Sequence, residues 1–401
     1  MMPIEERITN RKMKDLYELI RRQDTVSKQE LLERSGLKGG TLTRLLEEMA
    51  GQGLIVEVGF GESTGGRRPI LYRTNPGYGY VFGLEISRIH TRLILFDMQL
   101  EKKDHKTWLM GENMTPGVFV EEVSAEMERM LQRHGLPVTL VLGMGIGAVG
   151  PLDREAGVIV DPLYFPAKGW RDVPICAMFE QRFRFPVQLD NGANTAILGE
   201  YWADRPHEYK HLLYVHGGVG LRSAMMTGGK VVYGAVDMEG AVGQMIIQAD
   251  GVAPRQEEGN FGALESYASI YAIEQHVQAI LKTGRPSLIL ELAGHPERAV
   301  FGHVVEAARL QDRLAVEVLT QAAVFFGIGL ANLLNVLHPE KVILGGPLIT
   351  SHDLVFQTAT QVAIRKTYYF PQYQVVFSRG KLGDDALAAG AGVMMLNRLT
   401  E

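Results

Sequence analysis

Residues 187–200 read VQLDNGANTAILGE, an apolar strand that runs into Asp190-Asn191, breaks at Gly192-Ala193 and opens an Ala-rich helix with Asn194 in its first turn. A strand that turns directly into a helix commits its surroundings to a layered α/β arrangement and holds a side chain at the mouth of a crevice. The residue at the corner is Gly192, which has no side chain to offer.

The pattern around this corner occurs twice. Residues 80–86 (YVFGLEI) and 91–97 (TRLILFD) form two strands joined by Ser87-Arg88-Ile89-His90, followed by a helix over 118–134 and a buried strand in VTLVLGMGIGAVGP. In the second half, 211–216 and 224–226 form a hairpin, and helices lead to KVILGGPL. The doubling predicts two similar lobes facing each other across a cleft, with ligands at the carboxyl ends of the strands.

The first 76 residues follow a different plan. Helical spacing over 7–23 places Ile8, Met13, Leu16, Leu19 and Ile20 on one stripe, with Lys and Arg between them. Ser27 and Glu30 make a capping box for KQELLERSG, whose Leu31 and Leu32 face inward and which Gly36 ends. A third helix carries Leu42, Leu45, Leu46 and Met49 inward, and Gly53 closes it. Two helices around a tight turn make a helix-turn-helix, in which the front of the second helix meets base edges. Lys38, Thr41, Thr43 and Arg44 occupy that front, with Glu47 and Glu48 expected to face away from DNA. Residues 54–58, the loop GFGESTGGRRP and the strand ILYRT then form a wing with Arg67 and Arg68 at its tip, placed for phosphate or minor-groove contact. The competing possibility is a winged helix used for protein contacts.

Charge separates the same two regions. Residues 1–75 hold 13 Lys+Arg against 11 Asp+Glu, while 76–401 hold 28 against 35. A basic head on an acidic body suits a head that meets nucleic acid. One cysteine, Cys176, excludes an internal disulfide and any multi-cysteine zinc site, and its expected role is that of a small buried residue. No signal peptide opens the chain and no apolar run reaches about 18 residues, so nothing is expected to span a membrane and the expected location is the cytoplasm. His295 and His303 are expected to be surface or capping residues; Phe325, Phe326, Leu330, Leu333 and Leu334 are expected in the core or a dimer interface.

Taken in order, LLERSGLKGGTLTRLLEEMAGQGLI, GGRRP, GIGAVGPLD, KGW, DNGANTAILGE, VILGGPL and LGDDALAAGAG resemble the ROK family of repressors, open reading frames and kinases, specifically its winged-helix repressors of xylose or N-acetylglucosamine type. The resemblance covers nearly the whole chain. It implies an α/β fold with an N-terminal winged helix-turn-helix (1–76) and a two-lobed hexokinase/actin-like body of ribonuclease-H type. Lobe 1 would span 77–195, completed by the closing helix 384–401, and lobe 2 would span 196–383.

The family's kinases use an aspartate in an Asn-Asp-Ala-Asn corner as the base that activates the sugar hydroxyl, and here the corner is Asn191-Gly192-Ala193-Asn194. Losing a positioned base removes about 10²–10⁴ in rate. Asp190 is displaced along the strand and is not expected to substitute. The first phosphate loop is replaced by Glu85-Ile86-Ser87-Arg88-Ile89; the second survives in part as His216-Gly217-Gly218-Val219-Gly220. The sugar-gripping Glu and His of the family fall on Ala241 and Gln244, and the zinc motif falls on 256–263, which keeps glycines but no thiol. Zn²⁺ takes about four Cys or His ligands, so no zinc, no cofactor and no catalytic residue are expected. Asn191, Asn194, Glu265, Gly150 and Gly218 remain as candidate effector-binding positions, with Gly150-Pro151 and Lys168-Gly169-Trp170 along one wall. The resemblance implies a repressor of carbohydrate-related genes acting as a homodimer or higher oligomer on a palindromic double-stranded operator, with a sugar or sugar derivative as effector. On this expectation the effector shifts the population of lobe arrangements and changes the spacing of two winged helices. Alternatives are a bifunctional or residual sugar kinase, a body that serves only as a dimer platform, and a module sequestered by a protein partner.

Overall fold

The structure is a computed structural model and describes residues 7–8, 10–61, 68–205, 209–236 and 239–401. It divides into two compact units, Met1–Glu208 with Asp385–Glu401, and Tyr209–Asp384.

The first unit opens with a winged helix. It comprises α1 (Arg11–Arg21), β1 (Val26–Ser27), α2 (Lys28–Ser35), α3 (Gly39–Gly51), β2 (Ile55–Phe60) and β3 (Ile70–Thr74), with the strands in the order β1-β3-β2. Asn10 is the N-cap of α1 rather than part of it, its side chain accepting from the N–H groups of Lys12 and Met13. The Ser27–Glu30 capping box forms as the spacing predicts, and Gly36 ends α2 at φ 64. Leu31 is fully buried, but Leu32 is 40% exposed. Successive helical residues point about 100° apart, and this short helix packs on one side only, so one leucine of the two stays in solvent. Asn75 closes the head's lower joint, donating from Nδ2 to Gly53 O at 2.8 Å and accepting from Gly77 N–H at 3.1 Å. The Pro76–Tyr78 segment between head and body is therefore a hydrogen-bonded 3₁₀ turn.

The rest of the unit contains β4 (Tyr80–Ile86), β5 (His90–Asp97), β6 (Lys102–Leu109), α4 (Pro116–Arg133), β7 (Val141–Ala148), β8 (Leu152–Asp153), β9 (Val158–Ile159), α5 (Ile175–Phe183), β10 (Val187–Asn191) and α6 (Gly192–Ala203). The main sheet runs β10-β7-β4-β5-β6, antiparallel across β4, β5 and β6 and parallel across β4, β7 and β10. Strand β6 is the one the sequence hides: KKDHKTWL is an exposed, charged edge with no apolar alternation to betray it. Phe82, Leu84, Phe119, Met144, Ile146 and Phe179 fill the core between this sheet and α4 and α5. The closing helix, Ala386–Asn397, packs on the other face so tightly that only glycines fit. A Cβ on Gly390 would lie 1.5 Å from Thr195 O, and one on Gly145 would lie 1.9 Å from Ala391 O. Helix α6 is continuous through 195 and 196, so the first unit keeps it whole and the chain crosses to the second unit at 208/209 rather than after 195.

The second unit contains β11 (His211–Gly217), β12 (Leu221–Thr227), β13 (Lys230–Val231), α7 (Glu265–Ala268), α8 (Ile270–Lys282), α9 (Leu288–Ala293), α10 (Phe301–Arg309), α11 (Arg313–Leu337), β14 (Lys341–Gly345), α12 (Pro347–Thr350), α13 (Asp353–Lys366) and β15 (Val376–Ser378). Its sheet order, β13-β12-β11-β14-β15, repeats the first unit's scheme of an antiparallel hairpin followed by two parallel additions. The expected doubling is thus present at the level of strand order. Helix α11 is long and apolar enough to cross a membrane by length and composition, although its sequence is interrupted by polar residues; Leu319, Phe326, Leu330 and Leu334 are buried in this unit's core.

Candidate DNA interface and effector corner

The front of α3 is open. Lys38 is its N-cap and makes no side-chain cap hydrogen bond, and Lys38, Gly39 and Gly40 are exposed. An uncapped helix start presents N–H groups and a positive dipole end to an anion. Thr41 and Thr43 are half-buried; Thr43 Oγ1 donates to Gly39 O at 2.8 Å, which holds its hydroxyl against the first turn. Arg44 is exposed and ion-paired with Glu48 at 2.9 Å. Glu48 therefore shares a face with Arg44 instead of pointing away from it, because residues four apart lie one above the other on a helix. Arg68 is exposed just before β3, whereas Arg67 lies outside the described residues.

At the corner, β10 delivers Asp190 and Asn191 beside Gly147 and Ala148 of β7. Asn191 is the N-cap of α6, its Oδ1 accepting from Asn194 N–H at 2.8 Å, and Asn194 Nδ2 donates to Asp190 Oδ1 at 3.0 Å. Asp190 also accepts from the N–H of Asn191 at 2.7 Å. All three side chains are buried, and these hydrogen bonds make Asp190 an anchor of the turn. Gly150 follows β7 and is joined to Pro151 by a cis peptide bond. Where the kinase phosphate loop would lie, Ser87 closes a tight hairpin on itself, with Ser87 N–H and Oγ both donating to His90 O. Beside it Glu85 is buried, with His90 Nε2 3.3 Å from its carboxylate.

In the second unit, Glu265 Oε2 accepts from Leu221 N–H at 2.8 Å and sits against the Gly217–Gly220 turn, where a Cβ on Gly220 would fall 2.7 Å from it. Gly218 donates to Gly220 O and accepts from Ile270 N–H. Gln244 does structural work where the family places a metal-binding histidine. Its Oε1 accepts from Asn260 N–H at 3.0 Å, and its backbone oxygen accepts from Asn260 Nδ2 at 2.9 Å. Amide hydrogen bonds thus tie Asn260 to the 3₁₀ turn Glu239–Gln244, the segment that the resemblance aligns with the family's zinc ligand. Of the sequence candidates, Asn191 and Asn194 meet each other, and Glu265 and Gly218 flank one turn of their own unit. His295 and His303 cap helical turns through Nδ1 as expected, and burial, aided by the charge of Glu180, pushes the Cys176 thiol up to about 12.

A junction that sequence reasoning missed joins the head to the helices behind the corner. Arg21 of α1 is buried, pairs with Glu18 at 2.9 Å, donates to Asn397 Oδ1 at 2.5 Å and lies over the Trp202 ring at 4.9 Å. Arg205 lies over the same ring at 4.3 Å and donates to Arg21 O at 3.2 Å. Burial pulls the Glu18 carboxyl upward, but Arg21 and Arg22 override it and hold the group at about 2. Nothing in the local sequence marks these residues, since they are 376 positions apart at the widest.

Comparison with known proteins follows the same division. The model of the ROK family matches residues 81–398, leaving the head outside it. The xylose repressor of Caldicellulosiruptor bescii is 27% identical over 375 residues, 93% of this chain and 92% of its own. A solved ROK family transcriptional regulator, described as a homologue of the E. coli MLC protein, superposes at TM-score 0.79 with 21% identity over 97% of each chain. A ROK family glucokinase from Streptomyces griseus, solved with glucose and AMPPNP, superposes at TM-score 0.65 with 25% identity, over 79% of this chain and 99% of its own.

Proposed function

The chain belongs to the ROK family, and from that premise we propose that it is a DNA-binding transcriptional repressor of carbohydrate-related genes, working in the cytoplasm as a homodimer or higher oligomer on a palindromic operator. The observation that carries this reading is the exposed, uncapped start of α3 with Lys38 and Arg44, beside a wing that bears Arg68. Lys38, Thr41, Thr43 and Arg44 read the major groove; Arg67 and Arg68 hold phosphate or the minor groove. Likeness to a named xylose repressor over nearly the full length of both chains supports it.

The body acts as a sensor and not as a kinase. Gly192 stands at the position of the base, and the hydrogen bonds that hold Asp190, Asn191 and Asn194 together leave no acid group poised for proton transfer there. Asn191, Asn194 and Gly150 in the first unit, and separately Gly218 and Glu265 within the second, are proposed effector-binding positions. Helix α6 begins at this corner and ends at Trp202 against Arg21 of the head, so a ligand that favours one setting of α6 biases the head.

Electrophoretic retardation of the chain's own upstream DNA tests the reading. Retardation at low salt that weakens steeply with salt, and by about tenfold or more in Arg44→Ala, is expected. No retarded fragment at low salt would overturn it. Sugar-dependent ATP turnover by the unmodified protein would overturn the sensor assignment.

A further inference from the structure

The wing holds an apolar ring in solvent. Phe60, the last residue of β2, is 63% exposed. Its position comes from an irregularity in the pairing of β2 with β3. Glu57 lies opposite Tyr72 and Gly59 opposite Leu71, so Val58 is an extra residue in β2, a β-bulge. Gly59 takes φ 126, a conformation that side chains rarely tolerate. Paired residues of antiparallel strands share a face and successive residues alternate, so one extra residue moves Phe60 across the sheet. Regular alternation would put Phe60 on the outer face with Val56; the bulge sets it opposite Ile70, on the face of Ile55, Tyr72 and Thr74.

That face carries the head's helices. Ile55, Tyr72 and Thr74 are buried, and burial, with the charges of Glu57 and of Glu47 on α3, raises the Tyr72 hydroxyl above its ordinary value. The same face continues outward as exposed Phe60 and half-buried Ile70, beside exposed Arg68. A bulge re-aims a side chain, and here a kink suited to glycine aims an apolar ring to the side of α3.

We propose that Phe60 is an apolar contact to the DNA minor groove and selects A·T over G·C pairs where the wing docks. The inference rests on the repressor reading for its partner. Charge favours that partner, because Arg68 flanks the ring and the one carboxylate of β2, Glu57, is hydrogen-bonded to the Tyr72 hydroxyl. In the minor groove a G·C pair adds the guanine N2 amino donor, which A·T pairs lack. A ring seated over that amino group meets its bulk and leaves its N–H unpaired, whereas the floor of an A·T pair admits an apolar side chain.

Hydroxyl-radical footprinting of the upstream fragment that the full-length protein retards tests this. Phe60→Ala should lose protection of minor-groove sugars at one position per bound head. Its affinity, by fluorescence anisotropy, should fall about tenfold with the slope against salt unchanged, since an apolar ring releases no counterion; Arg68→Ala should flatten that slope by about one. Phe60→Leu, which keeps an apolar side chain, should stay within about threefold of the unmodified protein. At the A·T pair so located, G·C should cost the unmodified protein about fivefold, inosine·C, which lacks the amino group, should restore binding, and Phe60→Ala should not distinguish the three. Affinity within about twofold in Phe60→Ala overturns the proposal, as does equal loss for G·C and inosine·C. A lowered melting temperature in Phe60→Ala would make the ring part of the head's own core, and a changed oligomeric state in sedimentation would make it a contact between copies; either overturns it. Should the unmodified protein retard no DNA, the repressor reading falls and this one with it, whereas retardation that Phe60→Ala leaves unchanged overturns this one alone.

Discussion

At the scale of single residues, two carboxylates near the head have opposite consequences. Glu48 holds Arg44 in an exposed ion pair, and such pairs contribute about 0–1 kcal/mol, so Arg44 can exchange Glu48 for a phosphate. Removing the carboxylate leaves the arginine free and takes a negative charge away from DNA. Glu48→Ala is therefore expected to tighten operator binding by about two- to tenfold at low salt, with the gain shrinking as salt rises, as measured by fluorescence anisotropy. Glu18 works on stability instead. Its carboxyl is held at about 2 in the folded protein against an ordinary value of 4.5. A depressed carboxylate contributes stability that is present above the ordinary value and lost as pH falls from there toward 2. The contribution is on the order of 3 kcal/mol, since each unit is worth about 1.4. Melting temperature followed from pH 7 to pH 2 should show the native protein converging on Glu18→Gln in the acid range; curves that stay parallel would count against the pairing.

At the scale of elements, the closing helix and α6 are pressed together at their backbones. Gly390 meets Thr195 O at a distance no Cβ can occupy, so Gly390→Ala must push the two helices apart. Overpacking of a dense core costs about 1–3 kcal/mol, and here the obstacle is backbone that cannot rotate away, so the upper end or beyond is expected in chemical denaturation. Trp202 at the far end of α6 tests coupling instead of packing. In Trp202→Ala the one ring that both Arg21 and Arg205 lie over is gone. DNA binding in the absence of effector should persist, while the change in DNA affinity produced by effector should fall by about half or more. Equal effector response in the variant would remove α6 from the route.

At the scale of the whole molecule, the two units differ in how the chain builds them. Tyr209–Asp384 is one continuous segment with its own core around Leu319, Phe326, Val342 and Leu344. The first unit needs both ends of the chain, because the closing helix covers β4 and β7. A fragment of residues 209–384 should therefore fold alone with a cooperative thermal transition, whereas a chain ending at 384 should lose the first unit's transition and its DNA binding. Calorimetry on the two truncated chains separates these outcomes.

Local rules written in neighbouring residues determined much of this molecule. The Ser27–Glu30 box, Gly36, the short apolar run at 80–86, and the strand-to-helix break at 190–194 are short-range signals, and the elements they announce are present. Recurrence of a hairpin, helices and a further strand in the two halves was legible for the same reason, and so was the glycine at 192, whereas the order of the strands came from the structure. What the tertiary structure alone decided depends on residues far apart in the chain or on hidden edges. Strand β6 carries charge because it is an edge, so it has no apolar signature. Asp190 becomes an anchor only once Asn194 folds back to it, and Arg21 acquires a role only when Trp202, Arg205 and Asn397 arrive from elsewhere. Spacing encodes what a residue does to its neighbours along the chain; only packing determines what it meets across it.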